Sequence, residues 1–285
     1  MLKVLLALFL FSYLIPGQEH EFRSYKFAYS ENVFQIDDVT DAKAISGVLS
    51  EHLMKSYDND ASGKSVVENV LLNLDRLLEE EVDLFAMLGS EYLMLKDRNA
   101  LVPAFSIEVD SGVGFEYVII VNKKSNIKSI NDIKGKRVGI SANHKISPTY
   151  IWFESLFRPD ERRDFKANFS ELKLNRNSKQ LLFSTFFGNL DVCVTSIDRF
   201  ELMNELNPQV KEQLQVFTSS PRLLTGLLCF NKNIIGTPKE EKLRIMLNEI
   251  HKSKYGKQLL ELFSIGRLIP FSEEHIESLK KLMNN

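Results

Sequence analysis

The chain has 285 residues, with 36 Lys and Arg against 38 Asp and Glu and a net charge of −2. That balance lacks the basic footprint that binding a phosphate backbone requires, so no nucleic-acid partner is expected. The length suggests roughly two domains of ~150 residues, 20 Phe supply ample core material, and two cysteines are too few for a disulfide scaffold.

Met1-Leu2-Lys3 gives a short positive start, followed by an apolar run over residues 4–15 and a break at Pro16-Gly17-Gln18. The run falls short of the ~20 residues that span a bilayer. It predicts a secretory signal peptide over residues 1–18, cut near 17–20, and hence a periplasmic or secreted protein. No Cys follows the run, so no lipid anchor is expected there. A buried N-terminal helix or an uncleaved anchor would give a similar pattern.

Beyond it, strands and helices alternate. Tyr25, Phe27 and Tyr29 share one side of a strand over 22–29. Ile45, Val48, Leu49 and Leu53 recur at helical spacing over 38–57. A polar turn over 58–64 leads to a weak strand over 65–70, then an amphipathic helix over 71–81 and a buried strand over 82–88. A further strand over 100–109 carries Pro103, which implies an edge or a bulge. Tyr117 to Val121 is an apolar strand. After it, Ser129 and Asp132 form a capping-box pair, Gly135 ends the short helix, and a strand starts at Lys136. Cys193 and Cys229 lie in apolar, strand-like runs and read as buried thiols, with a bridge left open in an oxidising compartment. Near the end, Thr237-Pro238 opens a helix with an apolar stripe of Leu243, Leu247 and Ile250. Such alternation predicts an α/β architecture with mostly parallel sheets.

An internal echo points to two units of similar plan. Val82-Asp83-Leu84 begins one apolar strand and Leu190-Asp191-Val192 another. Each follows an amphipathic helix, and each ends in small or polar residues that open a new helix.

The order from the Tyr117 strand through IKSINDIKGKRVGIS, with the Val82-Asp83-Leu84 strand, the Ser90-Glu91-Tyr92-Leu93 helix start and GNLDVCVT at 188–195, resembles the phosphate/phosphonate-type solute-binding proteins of ABC importers, within the type II periplasmic binding protein superfamily. The resemblance covers residues 22–285. It implies two lobes of mixed, mostly parallel sheets with helices on both faces and two crossover strands as hinge. Lobe 1 would comprise 22–114 and 223–285, and lobe 2 residues 115–222, with Gly112 and Gly114 freeing the first crossing to bend. Related binders of sulfonates and other small solutes share similar runs, so the ligand stays open.

Ligands of open α/β sheets sit beyond the carboxyl ends of strands, where helix N-termini favour anions. Four junctions follow. At the first, Tyr29 would wall the ligand and Ser30 donate to it, the alternative being a plain strand end. At the second, Ser90 would bind ligand or cap a helix, beside Glu91; Tyr92 matches a family position that often faces the cleft. The third is SANHKISPT, where the family often has a glycine-containing, serine/threonine-rich turn. There Ser147 and Pro148 open a helix, and His144, Ser147 and Thr149 would meet an anion. The fourth comprises Asn177 and Ser178 with Thr195, Ser196 and Asp198. Asp198 would bind an ammonium group, as in an aminoalkyl phosphonate, or cap the next helix.

Catalytic signals are sparse. No G-x-S-x-G elbow, H-E-x-x-H pair or EF-hand loop is present, and the five His are scattered. The expectation is a monomeric binding protein with no enzymatic activity, metal or cofactor, whose partners are a small anionic solute and an ABC permease. A sensor role beside a membrane histidine kinase or cyclase is the alternative. An enzyme like those of the same fold in pyrimidine-precursor synthesis would need a His or Cys cluster.

Overall fold

The computed structural model describes residues 24–34, 39–109, 112–157, 164–263 and 265–284. The signal peptide expected over 1–18 lies outside the described residues.

The chain opens with β1 (Ser24–Ser30), α1 (Val39–Tyr57), β2 (Ser62–Glu68), α2 (Val70–Glu79), β3 (Leu84–Leu88), α3 (Gly89–Met94), β4 (Leu101–Val109) and β5 (Gly112–Val113). It continues through β6 (Tyr117–Asn122), β7 (Arg137–Ile140), α4 (Pro148–Ser155), β8 (Glu171–Leu174), α5 (Ser178–Phe186), β9 (Val192–Ser196), α6 (Ile197–Leu206), α7 (Pro208–Gln213) and β10 (Leu214–Ser219). It closes with β11 (Gly226–Asn231), α8 (Pro238–Glu249), α9 (Lys254–Leu262), β12 (Arg267–Pro270) and α10 (Glu273–Asn284).

Two sheets form, so the two-lobed α/β expectation is met. One has the order β12-β4-β11-β3-β1-β2 with β5 paired to β4; the other runs β10-β6-β9-β7-β8. The expectation of mostly parallel sheets is corrected. Among the described strands, four pairings are parallel and six antiparallel. The strands that enter and leave the second sheet, β6 and β10, pair with each other antiparallel, and β11 re-enters the first sheet antiparallel to both its neighbours. Antiparallel neighbours need no covering crossover helix, which lets these strands pass between sheets through short connections.

Pro103 sits in β4, an internal strand, opposite Cys229 and beside a register shift in β11 between Leu228 and Cys229. The bulge, not an edge, accommodates its missing N–H. The two cysteines are free and buried, Cys193 in the second sheet and Cys229 in the first. Burial pushes both thiols far up, so they act as small apolar groups.

Each sheet buries both faces. In the first, Phe27, Tyr29 and Phe105 pack under α1, α8 and α9, while Phe85, Met87 and Cys229 pack under α2 and Ile276 of α10. In the second, Ile119, Val138 and Val194 meet α4, and Val118, Ile120 and Cys193 meet α5 and α6. Helix α10 belongs to both bodies. Its Ile276 joins the first sheet's core, while its Leu279, fully buried, joins the second's.

The internal echo corresponds to one device used twice. The Asp83 carboxylate accepts the Lys26 N–H at 2.8 Å and the Asp191 carboxylate accepts the Arg137 N–H at 2.9 Å. In both, the backbone N–H of the aspartate donates to the carbonyl of that same neighbour at 2.9 Å. Each aspartate therefore fixes where a central strand joins the strand beside it. The Arg137 guanidinium holds the Asp191 carboxyl below the usual range, whereas burial holds that of Asp83 above it despite Lys239 at 2.7 Å. Asp132 plays its expected part, accepting from the backbone N–H groups of Lys128 and Ser129, and Gly135 follows with φ 76°.

Candidate functional site

A polar cavity of about 120 Å³ lies between the two sheets. Its floor is built where the chain crosses from one sheet to the other. Phe115 bridges to Leu223 there, and the Tyr117 hydroxyl meets the Thr225 hydroxyl at 2.9 Å. Burial pushes the Tyr117 phenol up, with Thr225 and Thr149 as hydrogen-bond partners, so it is a neutral hydroxyl at pH 7.

The second-sheet wall comes from strand ends that hand over to helices. Ser141, Ala142 and Asn143 follow β7, and Ser147, Pro148 and Thr149 open α4. Ser147 occupies the N-cap position, yet its hydroxyl makes no capping bond. Pro148 at the first helical position needs no partner for an N–H, and the next amides of the turn have none within the helix. A partial positive charge therefore faces the cavity. Ser178 of α5 and Ser196 at the end of β9 add hydroxyls. Arg176 and Arg199 supply the charge; no carboxylate lines the cavity among the described residues.

The first-sheet wall is Asn32, Val33 and Leu88, and a buried carboxylate stands behind it. Glu91 accepts from the Ser30 hydroxyl and the Asn32 amide, both at 2.6 Å, and from the Leu88 N–H at 2.8 Å. Burial raises its pKa above the usual glutamate value, with those donors opposing the rise. Two hydrogen bonds then span the gap between the walls. The Asn143 amide donates to the Phe34 carbonyl at 3.1 Å, and the Ser90 hydroxyl donates to the Ile146 carbonyl at 2.5 Å.

Of the residues expected from sequence, Ser147, Thr149, Ser178 and Ser196 line this cavity. Ser30, Ser90 and Glu91 stand one layer behind or at its rim, engaged as described. The others lie elsewhere. Tyr29 turns into the core, bonding the Ser50 hydroxyl at 3.0 Å, where burial pushes its phenol up to about 12. Tyr92 packs with the core on the far face of the first sheet. His144 is exposed, and only its carbonyl joins the turn, accepting the Ser147 N–H. Asn177 caps α5, accepting the Gln180 N–H at 3.0 Å. Thr195 shares the opposite face of β9 with Cys193, because successive strand residues alternate sides; its buried hydroxyl has no hydrogen-bond partner among the described residues. Asp198 does not line the cavity, whereas its neighbour Arg199 does.

Sequence reasoning missed Asn32, Tyr117, Asn143, Arg176, Arg199 and Thr225. Arg176 and Arg199 each adjoin a residue that was singled out. Tyr117 and Thr225 stand 108 positions apart at the two crossings, and no local pattern joins them.

Residues 66–276 match the family model of the ABC transporter, phosphonate, periplasmic substrate-binding protein. The phosphonates-binding periplasmic protein of Escherichia coli is 24% identical over 180 residues, covering 60% of this chain. The chain spans about half the length of that curated relative, 49%. Among solved structures, a binding protein component of an ABC phosphonate transporter from Pseudomonas aeruginosa aligns with TM-score 0.62 at 15% identity, covering 91% of this chain and 85% of that one. PhnD1 from Prochlorococcus marinus in complex with methylphosphonate aligns with TM-score 0.61 at 17% identity, covering 92% and 98%. The structural likenesses establish the two-lobed fold. With the family model matching most of its length, the chain belongs to the phosphonate periplasmic substrate-binding family of ABC transporters.

Proposed function

We propose that the interlobe cavity captures a small phosphonate- or phosphate-like dianion in the periplasm and presents it to an ABC permease. The observation that carries this reading is the composition of the walls: hydroxyls, the N-terminus of α4 and two arginines, with no lining carboxylate among the described residues. An oxyanion would take hydrogen bonds from Ser147, Thr149 and the first-turn amides, while Arg176 and Arg199 neutralise its charge. Ser178 and Ser196 complete the shell. Lobe 1, residues 22–114 and 223–285, would close on lobe 2, residues 115–222, about the two crossings.

The test is isothermal titration with methylphosphonate, inorganic phosphate and 2-aminoethylphosphonate. Methylphosphonate and phosphate are expected to bind, and the aminoalkyl compound more weakly, because nothing lining the cavity would neutralise an ammonium group. A ligand at 100 times its Kd should add about 2.7 kcal/mol to stability. Arg199→Ala and Arg176→Ala should each weaken binding about tenfold or more, a charge-assisted contact being worth roughly 1.5–3 kcal/mol. Preference for 2-aminoethylphosphonate, or unchanged affinity in both arginine variants, would overturn the reading.

A further inference from the structure

A second cavity adjoins the first, inside lobe 1. It has a volume of about 90 Å³ and lies between the first sheet and helices α1, α8 and α9. Four residues, Val33, Leu88, Phe115 and Thr225, line both cavities. A single layer of side chains thus separates the anion site from this chamber.

The chamber offers almost nothing to a polar group. Among its lining residues only Tyr29 and Thr225 carry side-chain hydroxyls. Tyr29 is engaged by Ser50, and Thr225 by Tyr117. Among the described residues, all the rest of the lining is hydrocarbon, glycine or methionine thioether. Protein cores normally fill such space with side chains, leaving few voids larger than a water, and a single water needs only about 10–15 Å³. Here small residues face it. Ala86 sits at the middle of β3, a central strand flanked by β1 and β11, and Gly226 begins β11. Both are partly exposed although strands flank them on either side.

We propose that this chamber receives the hydrocarbon arm of the ligand, so that the substrate class is an amphiphilic phosphonate or phosphate monoester with a short alkyl or aryl substituent. The inference rests on the anion site proposed above. The charged head would stay between α4 and the arginines, and the arm would pass Leu88 and Phe115 into lobe 1. Transfer of each methylene from water to such walls favours binding about fourfold.

The experiment is titration of the whole chain with methyl-, butyl-, hexyl- and phenylphosphonate, and with hexyl phosphate against inorganic phosphate. Affinity should climb by about fourfold per methylene from methyl to butyl, and hexyl phosphate should bind more tightly than phosphate by at least the methyl-to-butyl gain. Ala86→Leu and, separately, Ile265→Phe should abolish the gain while leaving methylphosphonate affinity as it was. The retained methylphosphonate binding also reports that each variant is folded. If methylphosphonate binds but affinity is flat or falls with chain length, the chamber is not a ligand site and the anion site stands. If no phosphonate of any length binds, the proposed function fails and this inference with it. If a variant does not fold, the chain-length series on the unaltered protein decides alone.

Discussion

Glu91 is the residue whose replacement discriminates best between a wall that merely encloses the cavity and one that is held in shape from behind. Its carboxylate receives three donors at 2.6, 2.6 and 2.8 Å and has no solvent exposure. Glu91→Ala strands the Leu88 N–H and the Ser30 hydroxyl in the interior, whereas the Asn32 amide can turn to water in the cavity it lines. Two enclosed donors left unpaired cost about 1–3 kcal/mol each. Removing a costly buried charge offsets part of this, which leaves a loss of about 2–4 kcal/mol. For a chain of this size that is a fall in Tm of roughly 4–16 °C. Glu91→Gln separates charge from shape. Burial raises the pKa of Glu91, so above the ordinary glutamate value the folded protein keeps a proton that the unfolded chain has released. Stability from this group is therefore greatest at low pH and declines as pH rises through the raised value. Urea unfolding of both proteins between pH 4 and pH 8 should show the gap between wild type and Glu91→Gln narrowing as pH rises. A gap that widens with pH would mean the donors outweigh burial and would refute this account of the site.

Gly114 has φ 70°, and a Cβ there would overlap the Leu223 carbonyl of the second crossing. Gly114→Ala should therefore cost more than about 1 kcal/mol by backbone strain alone, seen as a lower urea midpoint; an unchanged midpoint would show that the crossing is not confined. The Asn143–Phe34 and Ser90–Ile146 bonds hold the walls together. Removing both in an Asn143→Ala, Ser90→Ala double variant should sacrifice about 1–3 kcal/mol of closed-state preference. Small-angle scattering should then give a larger radius of gyration without ligand and an apparent Kd raised about fivefold or more, and identical scattering with identical affinity would remove these bonds from the closure. Arg137→Ala should release the Asp191 carboxylate, whose pKa the guanidinium depresses. Its stabilising effect is full above the ordinary aspartate value and fades as pH falls through the depressed one, so the deficit of the variant should shrink in acid. A deficit constant with pH would locate the effect in packing.

The fold was legible wherever the signal was local. The aspartates of the internal echo could be found because each heads an apolar strand, and the structure gives both the same backbone partner geometry. The capping box at Ser129 was likewise contained within four residues. The buried face of α1 was only half legible: Leu49 and Leu53 pack in the core as the stripe predicts. Ile45 and Val48, the other two residues of that stripe, are 39% and 58% exposed, whereas Ser46 and Ser50 are fully buried. The helix lies so close to β2 that any Cβ at Gly63 would overlap the Ser50 carbonyl. Small residues, not large apolar ones, permit that approach. Hydrophobic periodicity identifies a helix but gives only part of its buried face when some of the contact is backbone against backbone.

At the site, the reading from sequence reached the right junctions and then missed by one residue at several of them. A strand turns each successive side chain to the opposite face, and a helix rotates it by about 100°. Of the expected pair Thr195 and Ser196, only Ser196 reaches the cavity, and Thr195 takes a core position on the other face of the strand. Choosing Asn177 instead of Arg176 exchanges a helix cap for a cation. The largest consequence falls on Asp198 and Arg199, adjacent residues in the first turn of α6, of which only Arg199 lines the cavity. Taken as the site residue, Asp198 calls for an ammonium group on the ligand; Arg199 calls for a further negative charge. On the function proposed above, the sign of the charge that the cavity would select is set by a single helical step, which fixes no pattern that a sequence could display. It is set instead by how α6 leaves β9, whose last residue pairs with Tyr117 at the floor of the cavity.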